Sequence, residues 1–82
     1  MSKFREIDLC RDQIALVDDF IMQIISQRQV VSKNLGAIKK KLQVDICDNK
    51  QEKKVKSYYV KLAKRYKLDT NLAKELANVL IK

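Results

Sequence analysis

The chain has 82 residues with no proline, no histidine and a single glycine, and its formal net charge is +8. Its length allows one domain, over residues 1–82, with a small hydrophobic core. The composition favours an all-α fold. The charge indicates an anionic partner, whether nucleic acid, an acidic membrane or a small anion. The absence of histidine removes the commonest general base and metal ligand.

The two cysteines, Cys10 and Cys47, are isolated and form no paired-cysteine motif. We therefore expect no zinc or other metal site, and a reducing, cytoplasmic location is the default expectation for such thiols. Charged residues interrupt every apolar stretch well before the roughly 18 residues that a membrane span needs. Neither a signal peptide nor a transmembrane segment is expected.

Apolar residues recur in steps of three and four along the first half of the chain. This apolar seam consists of Ile7, Cys10, Ile14, Val17, Ile21, Ile24, Val31, Leu35, Ile38 and Leu42. The spacing predicts one long helix, from about Glu6 to about Leu42. One step of the seam is occupied by Arg28, and a cation there is costly unless something pairs with it. We therefore expect function at Arg28.

Two shorter helices are predicted after the seam. Asp48 is the expected N-cap of the second, over residues 49–66, with Gln51 as the reciprocal partner of a capping box. Asp69 or Thr70 caps the third, which runs to the end of the chain. The third helix has an apolar stripe of Leu72, Leu76, Val79 and Leu80. The second has a buried side of Val55, Tyr58, Tyr59, Leu62 and Ala63, and an outer face of Lys53, Lys54, Lys56, Lys61, Lys64, Arg65 and Lys67.

The first predicted helix is too long for a monomer of this size. About 36 residues span roughly 54 Å, whereas a compact protein of this length has a diameter of roughly 30 Å. The two shorter helices cannot cover so long a seam. We therefore predict an intertwined, obligate homodimer whose long helices pack against each other. Gly36, inside the first helix, is expected to allow close approach of another helix.

Two further cations are related to Arg28 by helical geometry. Lys39 follows eleven residues later, so the two side chains point within roughly 20° of each other, about 16 Å apart along the axis. Arg11 lies about 26 Å before Arg28, and only an antiparallel partner helix could bring it to the same site. Arginine binds a carboxylate through both oxygens, and lysine supplies a compact cation. Three converging cations predict a site for a small molecule with two carboxylates.

A purely structural interpretation of these charges stays open. Arg28 would then pair with an internal carboxylate, and residues 39–41 would be a solvated run of lysines. Glu52 would be a favourable charge near a helix N-terminus, whereas in the functional interpretation it accepts a hydrogen bond from a ligand hydroxyl. The internal carboxylates available to Arg28 are Asp18, Asp19 and Glu52.

The order and spacing of these residues resemble the all-helical (type II) chorismate mutase family. The resemblance covers nearly the whole chain, from about Arg5 to Lys82, without gaps. The residues that carry it are Arg11, Asp18, Arg28, Gly36-Ala37-Ile38-Lys39, Asp48-Asn49-Lys50-Gln51-Glu52 at the start of the second helix, and Leu68-Asp69 before the third.

The resemblance implies an intertwined dimer with two equivalent active sites that rearrange chorismate to prephenate in aromatic amino-acid biosynthesis, without a cofactor. Arg28 and Arg11 of the other protomer would hold the two carboxylates. Lys39 would donate a hydrogen bond to the ether oxygen. Glu52 and the backbone at Asp48 would receive the ring hydroxyl.

Two departures from the family pattern are visible. Gln51 stands where the family usually has arginine, so one cationic substrate contact becomes an amide. The sequence ends at Lys82, whereas the family's third helix continues with a residue that contacts the ether oxygen. Loss of such a hydrogen bond lowers the rate by about 10²–10³-fold, so a weakened mutase is expected.

Three other functions remain open. An isochorismate pyruvate lyase could use the same scaffold, and a non-catalytic relative could regulate another enzyme. A basic helical nucleic-acid-binding protein would use the lysine-rich face of the second helix, near Tyr58 and Tyr59. Nucleic acid is the less favoured partner because no recognition-helix motif is present and the key cations lie on or beside the seam.

Overall fold

The computed structural model describes residues 3–45 and 49–81, and these residues form three helices joined by turns. Helix α1 spans Arg5–Lys41, α2 spans Asn49–Arg65 and α3 spans Thr70–Ile81. The all-α prediction is confirmed, and the helix bounds lie within about one residue of those predicted. Asp48 lies outside the described residues, so its predicted capping box with Gln51 stays a prediction.

The chain divides into two compact units, Met1–Ile38 and Lys39–Lys82. The prediction of one domain over residues 1–82 stays a prediction. Helix α1 has no buried residue. Along it, the large side chains of the apolar seam range from 46% exposed at Ile7 to 66% exposed at Val31. Burial within the single chain therefore leaves the seam uncovered.

Helix α1 passes through Gly36 and ends five residues later at Lys41. Among residues 3–45 and 49–81, a Cβ atom built on Gly36 would have no neighbour within 4 Å, so none of these residues makes the close approach expected there. The helix ends in a Schellman motif. The N–H of Gln43 donates to the carbonyl of Lys40 (3.2 Å), and the N–H of Val44 donates to the carbonyl of Lys39 (3.0 Å).

The second unit has a small core between α2 and α3. Ala63 of α2 and Ala77 of α3 are 1% and 0% exposed, and Ala73 and Leu80 complete the buried set. The three α3 residues are spaced four and three apart, so they lie on one face of that helix. Alanine side chains are short, so two helices that meet through them can approach closely.

The face of α3 used in this contact differs from the predicted stripe. Only Leu80 of the stripe is buried, and Leu72, Leu76 and Val79 are exposed. On α2, Tyr58 is also exposed, although it was predicted on the buried side. The prediction gave weight to the large apolar residues, whereas the contact is made by the smallest ones. On α3, the larger side chains Leu72, Leu76 and Val79 therefore stay exposed on another face of the helix.

The turn between α2 and α3 is held by backbone hydrogen bonds and one cap. The N–H of Leu68 donates to the carbonyl of Ala63 (2.7 Å) and that of Lys67 to the carbonyl of Lys64 (3.4 Å), which is a second Schellman motif. Asp69 then caps α3, because its Oδ1 accepts the N–H of Asn71 at 2.8 Å. The predicted cap is confirmed as Asp69.

We expect Lys67→Gly to stabilise the protein, because Lys67 has a positive φ of 58°. A side chain in this left-handed conformation costs roughly 1–2 kcal/mol, and glycine removes that cost. Part of this gain is offset because glycine also makes the unfolded chain more flexible. The expected gain is about 1 kcal/mol, which raises Tm by about 4–8 °C in thermal unfolding. Lys61→Gly, inside α2, is the matched control and should destabilise by about 1 kcal/mol. A lower Tm for Lys67→Gly would contradict this account of the turn.

Candidate active site

Arg28 and Lys39 lie on the less exposed part of α1. Nearly every described residue of this helix is exposed, and the half-buried ones are Ile25, Arg28, Gly36 and Lys39. Their spacings of three, eight and three residues place them within an arc of about 80° on the helix. The two cations that the sequence singled out are therefore half-buried on one face of α1, together with the glycine of the Gly-x-x-Lys motif.

Arg11 lies near the other end of α1. Its side chain is 76% exposed, and its Nη1 atom lies 4.0 Å from Oδ1 of Asp8, one turn earlier. An exposed ion pair of this length contributes little to stability. The seventeen residues between Arg11 and Arg28 correspond to about 26 Å of helix. The described chain therefore does not bring these two arginines together.

The first turn of α2 contains the two remaining described candidates. Gln51 is exposed and Glu52 is half-buried. Glu52 precedes the buried Ala63 by eleven residues, about three turns, so it lies on the side of α2 that packs against α3. A carboxylate in the first turn also interacts favourably with the positive end of the helix dipole. Asp48, the last of the predicted site residues, lies outside the described part of the chain.

A shallow open groove runs along α1 close to Arg11. It is lined by Cys10, Gln13, Ile14, Val17 and Asp18. Its walls are mostly apolar, and Asp18 is the acidic residue of the motif that follows Arg11. The groove adds Gln13 to the candidate residues. The sequence analysis did not name Gln13, because the residue is marked only by its position next to Ile14 of the seam. Many polar residues lie next to a seam residue, so this position alone does not indicate function.

Residues 3–45 and 49–81 contain neither a cluster of metal-binding side chains nor a helix suited to a membrane. No three cysteine or carboxylate side chains among them are grouped so that they could hold a metal ion. Within the same residues, no helix combines the length and the apolar character that a membrane crossing requires.

These features define a basic, all-helical protein with cations half-buried on a long first helix and a carboxylate in the first turn of the second. The family model "Chorismate mutase type II" matches residues 10–82. This chain belongs to the type II chorismate mutase family, and the resemblance noted from its motifs is confirmed. It is 30% identical, over 81 residues, to a chorismate mutase of Methanocaldococcus jannaschii. That match covers 99% of this chain and 79% of the relative. No solved structure is significantly similar to the chain.

Proposed function

We propose that this protein is a chorismate mutase, an isomerase that converts chorismate to prephenate in the biosynthesis of aromatic amino acids. The observation that carries the proposal is the family match over residues 10–82. It is supported by the half-burial of Arg28 and Lys39 on one face of α1. A partly buried cation interacts with a substrate carboxylate more strongly than a fully solvated one, because water screens it less.

The proposed residues act by binding and orientation. Arg28 holds one carboxylate of chorismate through its two-pronged guanidinium, and Arg11 of a second protomer holds the other. Held at both ends, the substrate is restricted to the compact conformation from which the rearrangement occurs. The reaction is pericyclic: one C–O bond breaks while one C–C bond forms, and no covalent enzyme intermediate or cofactor takes part.

Lys39 and Glu52 have the electrostatic roles. The Lys39 ammonium group donates a hydrogen bond to the ether oxygen, where negative charge develops as the C–O bond breaks. Glu52 accepts a hydrogen bond from the ring hydroxyl, together with the backbone at Asp48. Gln51 contacts the substrate from the same turn of α2 through its amide, where the family usually has a cation. These assignments are carried over from the family motifs, position by position.

We further propose that the active protein is an obligate homodimer. Helix α1 has no buried residue, and the large side chains of its apolar seam are 46–66% exposed. Obligate homodimers bury about 2,000–5,000 Å² in total, mostly apolar. The exposed apolar seam of α1 supplies a surface of that kind, and an antiparallel second copy would both cover it and deliver Arg11. The isolated thiol of Cys10, exposed in the single chain, supports a reducing, cytoplasmic compartment.

The direct test is to follow chorismate loss and prephenate formation with the purified protein. We expect turnover well above the uncatalysed rate. Isochorismate should be supplied in parallel, with pyruvate release as the readout, because a lyase on this scaffold would act there. No acceleration of chorismate loss would overturn the proposal, and pyruvate release from isochorismate alone would replace it with the lyase.

A further inference from the structure

The net positive charge of this protein belongs to one part of the chain. Residues 1–38 contain five basic and five acidic residues, whereas residues 39–82 contain thirteen basic and five acidic ones. The whole formal net charge of +8 therefore belongs to the second unit. Helix α2 alone has seven basic residues and one carboxylate.

Six of the seven basic residues of α2 share one side of the helix. At 100° per residue they fall within an arc of about 120°, whose centre lies about 140° around the helix from the buried Ala63. All six are exposed. Glu52, the carboxylate of this helix, lies on the other side, so the arc contains no negative charge. We call these residues the cationic stripe: Lys50, Lys53, Lys54, Lys61, Lys64 and Arg65.

Nearby carboxylates do not neutralise five of the six residues of the stripe. Among the described residues, Lys53, Lys54, Lys61, Lys64 and Arg65 form no ion pair. Several members of the stripe are instead three or four residues apart, as Lys61 is from Lys64 and Arg65. Like charges at this spacing destabilise a helix. The chain therefore keeps an arrangement that is unfavourable for α2 itself, and its electric field extends into solvent.

The composition of the stripe indicates a long-range role. It contains no apolar side chain, and lysine is depleted at protein–protein interfaces. The apolar side of α2 packs against α3, so this helix cannot insert an apolar face into a membrane surface. Exposed lysines act as point charges on an approaching anion. A summed field of this kind raises the local concentration of an oppositely charged ligand as well as its association rate, so it increases kcat/KM even where the chemical step is slow.

We propose that the cationic stripe steers the dianionic substrate toward the active site. The inference rests on the proposed function, because chorismate carries two carboxylates. Glu52 and the far end of the stripe at Arg65 are about 20 Å apart along the axis of α2. The Debye length is about 30 Å at 0.01 M ionic strength. At low salt, every cation of the stripe thus acts over the turn of α2 that carries Gln51 and Glu52.

The test compares salt dependence in a neutralised variant and a charge-preserving one. The first carries glutamine in place of Lys53, Lys54, Lys61 and Lys64, and the second carries arginine at the same positions. At about 0.01 M salt we expect kcat/KM for chorismate to fall about tenfold in the glutamine variant, with kcat unchanged. At about 1 M salt, where the Debye length is about 3 Å, the three proteins should have the same kcat/KM. The arginine variant should match the native protein throughout.

Two results would overturn steering while leaving the proposed function intact. Equal kcat/KM values for the native protein and the glutamine variant at low salt would show that the stripe does not act on the substrate. A deficit in the glutamine variant that persists at about 1 M salt would indicate a local effect on structure, because long-range attraction is screened there. Failure of the native protein to turn over chorismate at any salt concentration would overturn both proposals.

Discussion

Arg28→Ala is expected to lower kcat/KM for chorismate by about 10³-fold, equivalent to about 4 kcal/mol of lost transition-state binding. The substitution removes a bidentate, charge-assisted contact to one substrate carboxylate from a half-buried position. The negative charge of the substrate would then be left in a partly desolvated site without its counter-ion. Steady-state kinetics with chorismate, at one salt concentration, measures the effect.

Two controls separate this catalytic role from a structural one. Lys33→Ala removes an exposed cation from the same helix, five residues later and about 140° around it, and should change kcat/KM by less than about twofold. Arg28→Lys keeps the charge without the two-pronged geometry. Its kcat/KM should lie between those of Arg28→Ala and the native protein. If Arg28 were only the partner of an internal carboxylate, Arg28→Ala would lower Tm and leave the kcat/KM of the folded protein close to native.

Mixing two inactive variants should restore activity if Arg11 is donated between protomers. In a symmetric dimer, each proposed site combines Arg28 of one copy with Arg11 of the other. A mixed dimer of Arg11→Ala and Arg28→Ala copies would contain one intact site and one site that lacks both arginines. Random reassortment makes half of all dimers mixed, so we expect recovery of about a quarter of native activity. The subunits are reassorted by unfolding and refolding the two variants together.

The matched control uses two residues that come from the same protomer in the proposed site. Each mixed dimer of Arg28→Ala and Lys39→Ala copies would have one site without the arginine and one without the lysine. This mixture should stay as inactive as its components. If the pair Arg11→Ala and Arg28→Ala also failed to recover, donation of Arg11 in trans would be wrong. The outcome is independent of the helix-length argument that led to the dimer.

The helices could be predicted from the sequence because their ends have clear local causes. No proline interrupts the chain, the seam keeps one period across Gly36, and the N-cap at Asp69 needs only a side chain that reaches the N–H of Asn71. The left-handed residues that end α1 and α2 had no such signal. They are Gln43 and Lys67, where glycine is the residue that usually marks this conformation.

The packing between α2 and α3 was harder to predict than the helices themselves. Pattern reasoning weights residues by apolar area, so it favoured Leu72, Leu76 and Val79 over two alanines. When a helix has apolar residues around much of its circumference, the sequence does not tell which part meets the neighbouring helix. The face with small residues allows the closer contact, and here it is the face used.

The candidate site, too, could be predicted only in part from the sequence. The shared face of Arg28 and Lys39 follows from helix periodicity, which the sequence displays directly. The meeting of Arg11 with Arg28 depends on a second copy of the chain, which periodicity within one chain can suggest only through helix length. The placement of the site residues therefore stays a prediction until the variants are measured.

The alanine contact has a consequence for how the second unit tolerates mutation. Ala63 and Ala77 are almost completely buried, and neither has a side chain that can be shortened except to glycine. Core mutations usually destabilise a protein because a truncated side chain leaves a cavity. At these two positions, truncation can create almost no cavity. An added methyl or methylene group would push the two helix backbones apart, at a typical cost of about 1–3 kcal/mol. At this contact, substitution by larger residues is the main cause of destabilisation. Fewer residue types are therefore tolerated at these two positions than the small apolar area of alanine suggests.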